Sequence, residues 1–195
     1  MSNREATASA AKHDGHLRVA ISGKSGCGNS TVSRLVAEKL GIRMINYTFR
    51  SLAEEQGVTF AEMRRMAEED PQWDRIVDKR QREMALRGSC VLGSRLAVWV
   101  LKDEADLKVF LDAGEEERAR RIQSREGGTL EEKLTETRSR DRHDRRRYLK
   151  LYGIDNNDYG FCDIIVDTER HAPEEIAELI AGTARSLGPH DRDHS

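Results

Sequence analysis

The sequence predicts an α/β protein: a three-layer α/β/α fold around a five-stranded parallel sheet. Two observations carry that class. Five short apolar, β-rich runs alternate with segments of helical character, so that strands and crossover helices follow one another along the chain. The first of these runs ends in a glycine-rich turn that opens directly into an amphipathic helix. At 195 residues the chain is long enough for one domain with a substantial core, and it shows no internal repeat.

Taken in order, LRVAIS (17–22) is β-rich and stops at a glycine, which marks a buried first strand. STVSRLVAEKLG (30–41) sets Val32, Leu35, Val36 and Leu40 on one helical stripe, with Gly41 as its stop. IRMINY (42–47) is a second strand. SLAEEQG and TFAEMRRMAEED are short helices, and PQWDRIVDKRQREMALRG (71–88) is a longer one with Pro71 in its first turn. SCVLGSR (89–95) and DLKVFLDA (106–113) are the third and fourth strands. EEERARRIQSREG (115–127), a long TLEEKLTETRSRDRHDRRRYLKLYG (129–153) and PEEIAELIAGTARSLG (173–188) are helices, and CDIIVDT (162–168) is the last strand. The domain is expected over 17–185, with disordered tails at 1–16 and 186–195.

Composition excludes several classes. Charged residues are 35% and hydrophobic ones 37%, yet the formal net charge is only -2, so no global field draws the chain to nucleic acid or anionic lipid. Three scattered cysteines form neither a disulfide framework nor a zinc spacing, which fits a reducing cytoplasm. The N-terminal segment lacks the apolar stretch of a signal peptide, and no run approaches the roughly 18 apolar residues of a membrane span.

The turn after the first strand reads GKSGCGNST (23–31). Gly23, Gly28 and Ser30 stand at the positions of a P-loop, G-x-x-x-x-G-K-[ST], in the strand–turn–helix context the motif requires. Gly23, Ser25, Gly26, Cys27, Gly28, Asn29, Ser30 and Thr31 would line a cradle of backbone N–H groups at a helix N-terminus, and Ser30 would offer its hydroxyl to Mg²⁺. The alternative is an ordinary glycine-rich turn. Asn29 stands where the lysine belongs and supplies a neutral donor instead of a charge, so another cation must stand in if catalysis is to survive. Lys24 is the basic residue inside the loop. By position it resembles the second lysine of the deviant Walker A ATPases of the chromosome-partitioning type, and a solvated surface lysine is the other reading. Cys27, at the helix N-terminus, is either oxidisable or, more simply, a small filler.

Beyond the loop, four stretches between about 17 and 182 resemble the cytidylate kinases, particularly the shorter archaeal-type branch of these P-loop nucleoside monophosphate kinases. They are ISGKSGCGNSTVSRLVAEKLG; NYTFRSLAEEQG; AEEDPQWDRIVDKRQ with VLGSRLAVWVLK; and RSRDRHDRRRYLKLYGIDNNDY. The resemblance implies ATP as co-substrate with Mg²⁺, and CMP or dCMP as acceptor. It also implies a monophosphate-binding region at about 46–88 and a lid at about 115–150. Arg50 and Arg95 would then hold the acceptor phosphate, and Arg140, Asp144 and Arg147 would face substrate and phosphates. One further departure stands out: Gly93 occupies the place of an acidic residue just before G-R-L.

Elementary chemistry agrees with these roles. Phosphoryl transfer sets two clusters of negative charge against each other, and guanidinium forks suit phosphate oxygens. Arg140, Asp144 and Arg147 fall at i, i+4 and i+7, one helical face. Arg118, Arg121 and Arg125 stack similarly on the helix leading into Gly127 and Gly128, a hinged-lid pattern in which Arg121 is a nucleotide-binding candidate. Solvated faces paired with nearby carboxylates, Glu115 to Glu117 among them, are the alternative for both clusters. Asp70, Asp74 and Asp78 read as a solvated acidic face, with metal ligation or a substrate-side role at the base or ribose as alternatives; Trp73 and Trp99 read as core or pocket walls, and His143 and His171 carry no assignment. The expected protein is thus a cytoplasmic kinase, monomer or homodimer, with Lys24, Arg140 and Arg147 catalytic. A catalytically weak nucleotide sensor is the second reading, and nucleic-acid binding by the 138–150 helix a distant third.

Overall fold

The computed structural model describes residues 15–187. The expected tails lie almost entirely outside the described residues; the exceptions include 186 and 187, which continue the last helix.

Five strands form one parallel sheet: β1 (Arg18–Gly23), β2 (Arg43–Ile45), β3 (Cys90–Gly93), β4 (Leu107–Asp112) and β5 (Ile164–Asp167). Their spatial order is β2-β3-β1-β4-β5. Val19 pairs with Val91 on one side of β1 and Leu107 on the other, while Phe110 of β4 pairs with Ile165 of β5. The chain runs from β1 outward to β2 and back to β3, then crosses to β4. The order therefore reverses at β1, and in such sheets a ligand crevice opens beyond the carboxyl ends of the strands at that switch.

Around the sheet lie α1 (Asn29–Leu40), α2 (Phe49–Gln56), α3 (Phe60–Glu69), α4 (Gln72–Ala85), α5 (Ala97–Val100), α6 (Glu115–Glu126), α7 (Leu130–Tyr152) and α8 (Pro173–Leu187). Successive side chains of a strand point to opposite faces, and the two cores follow that alternation. Val19, Ile21, Val91, Val109 and Leu111 pack with Val32 and Val36 of α1 and Ile176 and Ile180 of α8. Ala20, Ile45 and Leu92 pack on the other face with Leu52, Met63, Val77 and Val98 from α2 to α5. This is the three-layer arrangement expected.

Local signals account for most boundaries. Gly41 ends α1 in the left-handed conformation, and its N–H reaches back to the helix carbonyls. Thr59 with Glu62, and Thr129 with Glu132, form capping boxes that start α3 and α7. Two elements differ from expectation. The second strand is only Arg43–Ile45, because Asn46 to Thr48 lead into α2, whose N-cap is Thr48. The one-turn helix α5 arises from the apolar run after Leu96, buried against β1 and β4. Among the described residues no helix is long and apolar enough to cross a membrane.

Candidate active site

Beyond the carboxyl ends of β1 and β3 lies a broad cleft. Its floor is the loop from Gly23 to Thr31; its walls come from the segment around Tyr47 to Arg50, from Ser94 and Arg95, and from the inward side of α7. Every candidate site residue named above borders it, Lys24, Arg50, Arg95, Arg121, Arg140, Asp144 and Arg147 included.

The loop is shaped by close approach as much as by its conformation. Gly26 has φ +90, and a Cβ there would lie 2.8 Å from the Arg118 carbonyl oxygen, so α6 sits directly on the loop. No side chain caps the N-terminus of α1, and Ser30 and Thr31 are exposed at it. Unpaired N–H groups and the helix dipole therefore face the cleft, the setting in which anions bind. Cys27, by contrast, is 1% exposed, and burial pushes its thiol up to about 11 despite the helix N-terminus beside it. The oxidisable reading is thereby corrected: Cys27 is a filler packed among Ile21, Val32 and Leu111.

The structure separates the three arginines of the first cluster. Arg118 is 2% exposed. It donates to the Ala113 carbonyl at 3.1 Å, to the Ser25 carbonyl at 3.2 Å, and through both terminal nitrogens to the Asp141 carboxylate at 3.2 and 2.7 Å. It is a buried latch joining the loop, α6 and α7. Arg121 borders the cleft while bonding Glu117 at 2.9 Å and Thr168 at 2.9 and 2.8 Å. Arg125 pairs with Glu126 on the surface.

On α7 the chemistry follows a stripe of which sequence reading named only Asp144. Thr137, Asp141, Asp144 and Tyr148 recur at helical spacing and turn inward; Thr137, Asp144 and Tyr148 are buried. Arg140 and Arg147 flank the stripe. Arg140 donates to the Ser25 hydroxyl at 2.9 Å and, among the described residues, pairs with no carboxylate. Arg147 lies 3.5 Å from both Asp74 and Asp144, and Asp144 also pairs with Arg95. Two guanidinium groups and two carboxylates, drawn from the β3–α5 connection, α4 and α7, thus meet at one wall of the cleft.

Asp74 belongs to this cluster and is 6% exposed, so the solvated-face reading does not hold for it. Burial raises its carboxyl pKa, with Arg147 opposing the rise and Asp144 adding to it. Asp78, one turn on, accepts from the Tyr152 hydroxyl at 2.5 Å, and burial pushes it up to about 6. Asp70 stands apart as the C-cap of α3. Arg50 is exposed, its guanidinium 4.8 Å from the centre of the Phe60 ring. Trp99 packs edge-on against Phe110 and Phe161, and both it and Trp73 are partly buried against the core on that face.

Comparison with known proteins identifies the family. Residues 18–170 match the model of the cytidylate kinase-like family. The chain is 43% identical over 168 residues to cytidylate kinase 2 of Borreliella afzelii, covering 84% of this chain and 94% of that one. It is 39% identical over 175 residues to the cytidylate kinase of Pyrococcus horikoshii, covering 89% and 91%. In fold it is similar to shikimate kinase from Acinetobacter baumannii, with a TM-score of 0.61 and 18% identity over 89% of this chain and 96% of that one. A phosphate-type loop beneath a cleft of paired arginines, together with these matches over most of its length, places the chain in the cytidylate kinase-like family.

Proposed function

We propose that this chain is a phosphotransferase that moves the γ-phosphoryl group of ATP to a pyrimidine nucleoside monophosphate, CMP or dCMP. The observation that carries the reading is the continuity of one cleft, from the open N-terminus of α1 to the Arg95–Asp144–Arg147 cluster, in a member of this family.

The loop from Gly23 to Thr31 holds the ATP phosphates with its N–H groups, and Arg121 borders the nucleotide's side of the cleft. Arg50 and Arg95 take the acceptor phosphate. Arg95 is held toward the cleft by Asp144, which limits the side-chain freedom it must surrender on binding. Arg140 and Arg147 neutralise the charge that develops between donor and acceptor; Arg140, resting on the Ser25 hydroxyl, stands nearer the loop. Lys24 also borders the cleft, so it and Arg140 are candidates to make up for Asn29.

The residues fit Mg²⁺ bound together with the nucleotide. Ser30 is exposed at the helix N-terminus, and no cluster of three acidic or histidine ligands exists among the described residues, so the ion would be held by Ser30 and the phosphates themselves. Bound there, it neutralises phosphate charge. Three free cysteines and the absence of a membrane-spanning helix among the described residues support a cytoplasmic place. A coupled assay of ADP release with each nucleoside monophosphate tests the proposal. Release with CMP or dCMP is expected, together with a rise in Tm on adding ATP or ADP with Mg²⁺. No release with any monophosphate would refute it.

A further inference from the structure

Asn29 does not aim its side chain at the cradle. Its amide nitrogen donates to the Ile21 carbonyl at 2.9 Å and to the Ser94 carbonyl at 3.4 Å, where β1 and β3 end. Its oxygen accepts from the Ser33 hydroxyl at 3.2 Å, one turn along α1. Only the amide nitrogen can face two carbonyls, so this orientation is dictated by the partners. The Ile21 carbonyl also accepts from the Ser94 backbone N–H at 3.2 Å, so the two strand ends and the start of α1 meet at one point.

Gly93 closes the arrangement. A Cβ at this position would lie 2.4 Å from the Ser33 oxygen, 2.7 Å from the Ser33 Cβ and 3.0 Å from the Asn29 oxygen. Ser33 is fully buried, and its own Cβ is among the atoms met. A side chain at 93 is therefore incompatible with Asn29 and Ser33 in place. The two departures from the ordinary loop, the missing lysine and the missing carboxylate, are one packing solution.

The segment being pinned is Ser94–Arg95, and Arg95 reaches Asp144 on α7. We infer that Asn29 is a positioning residue for the acceptor side: it fixes the Arg95 segment against the phosphate loop, with Ser33 and Gly93 as its obligatory partners. This rests on the phosphotransfer reading for its kinetic consequences and on packing alone for the rest.

The kinetic test uses the full chain. Asn29→Ala should raise the KM for CMP about tenfold and leave the ATP Kd, measured by calorimetry, within about twofold. In an Arg95→Ala background the same change should add less than about twofold to that KM. Weakened ATP binding with an unchanged CMP KM, or full additivity with Arg95→Ala, would overturn the inference. The packing test needs no activity. Gly93→Ala should lower Tm by about 5 °C, and the loss should shrink in a Ser33→Gly background, where the two nearest clashing atoms are gone and only the Asn29 oxygen remains close. An equal loss in both backgrounds would overturn the lock. If wild type transfers no phosphoryl group, the kinase reading fails, and this cycle still decides whether the lock exists.

Discussion

Replacing Arg118 by methionine keeps much of its bulk and removes its charge. The side chain is 2% exposed and its partner Asp141 17%, so the pair is shielded from solvent screening. The substitution strands the Asp141 carboxylate and leaves the Ala113 and Ser25 carbonyls without this donor. Breaking a buried pair from one side costs about 3–5 kcal/mol, because the remaining charge stays desolvated. For a chain of this size that corresponds to a fall in Tm of roughly 6–20 °C. The Ser25 carbonyl belongs to the phosphate loop, so ATP affinity should fall as well. Differential scanning calorimetry with and without ATP reads both effects. Arg138→Ala is the control, since its pair with Glu115 is about half exposed on both sides, and it should shift Tm by less than about 2 °C. An Arg118→Met protein melting within about 2 °C of wild type would refute the latch.

Three further predictions follow from the cleft. Arg95→Ala and Arg147→Ala should each raise the acceptor KM at least about tenfold while sparing ATP affinity, the loss of a charge-assisted bond worth about 1.5–3 kcal/mol; near-wild-type kinetics in both would remove them from the acceptor site. The Asp78 carboxyl, pushed up to about 6 from 3.8, favours its protonated form in the fold, so its stabilising contribution is present below about pH 4 and lost as pH rises through 6. Asp78→Asn should then gain more stability over wild type at pH 7 than at pH 4.5, and an equal difference at both would contradict the shift. Asn29→Lys should lower turnover and Tm, since it removes the donations to Ile21 and Ser94, and a rise in turnover would show that the site still wants its lysine.

What could be read without coordinates was whatever depends on neighbours in the chain. Hydrophobic period marked the five strands and the long helices, glycine and threonine marked helix ends, and the order strand–glycine turn–helix marked the loop. Arg140, Asp144 and Arg147 could be grouped because a helix repeats every 3.6 residues. Contacts that close over many residues were not legible. Arg118 and Asp141 are 23 apart, and Arg95 and Asp144 are 49 apart. Nothing local distinguishes a buried arginine from a solvated one, so Arg118 read as part of a lid and Asp74 as part of a wet face. Likewise Asn29 and Gly93 could be related from sequence only through charge, since losing a cation relieves the need for its counter-charge. Only parallel pairing of β1 with β3 brings residue 93 against α1, where the space for one side chain is already filled by Asn29 and Ser33. Sequence determined which pieces would form. Packing decided which charges went inside and which substitutions had to occur together, because desolvation and excluded volume act through space and not along the chain.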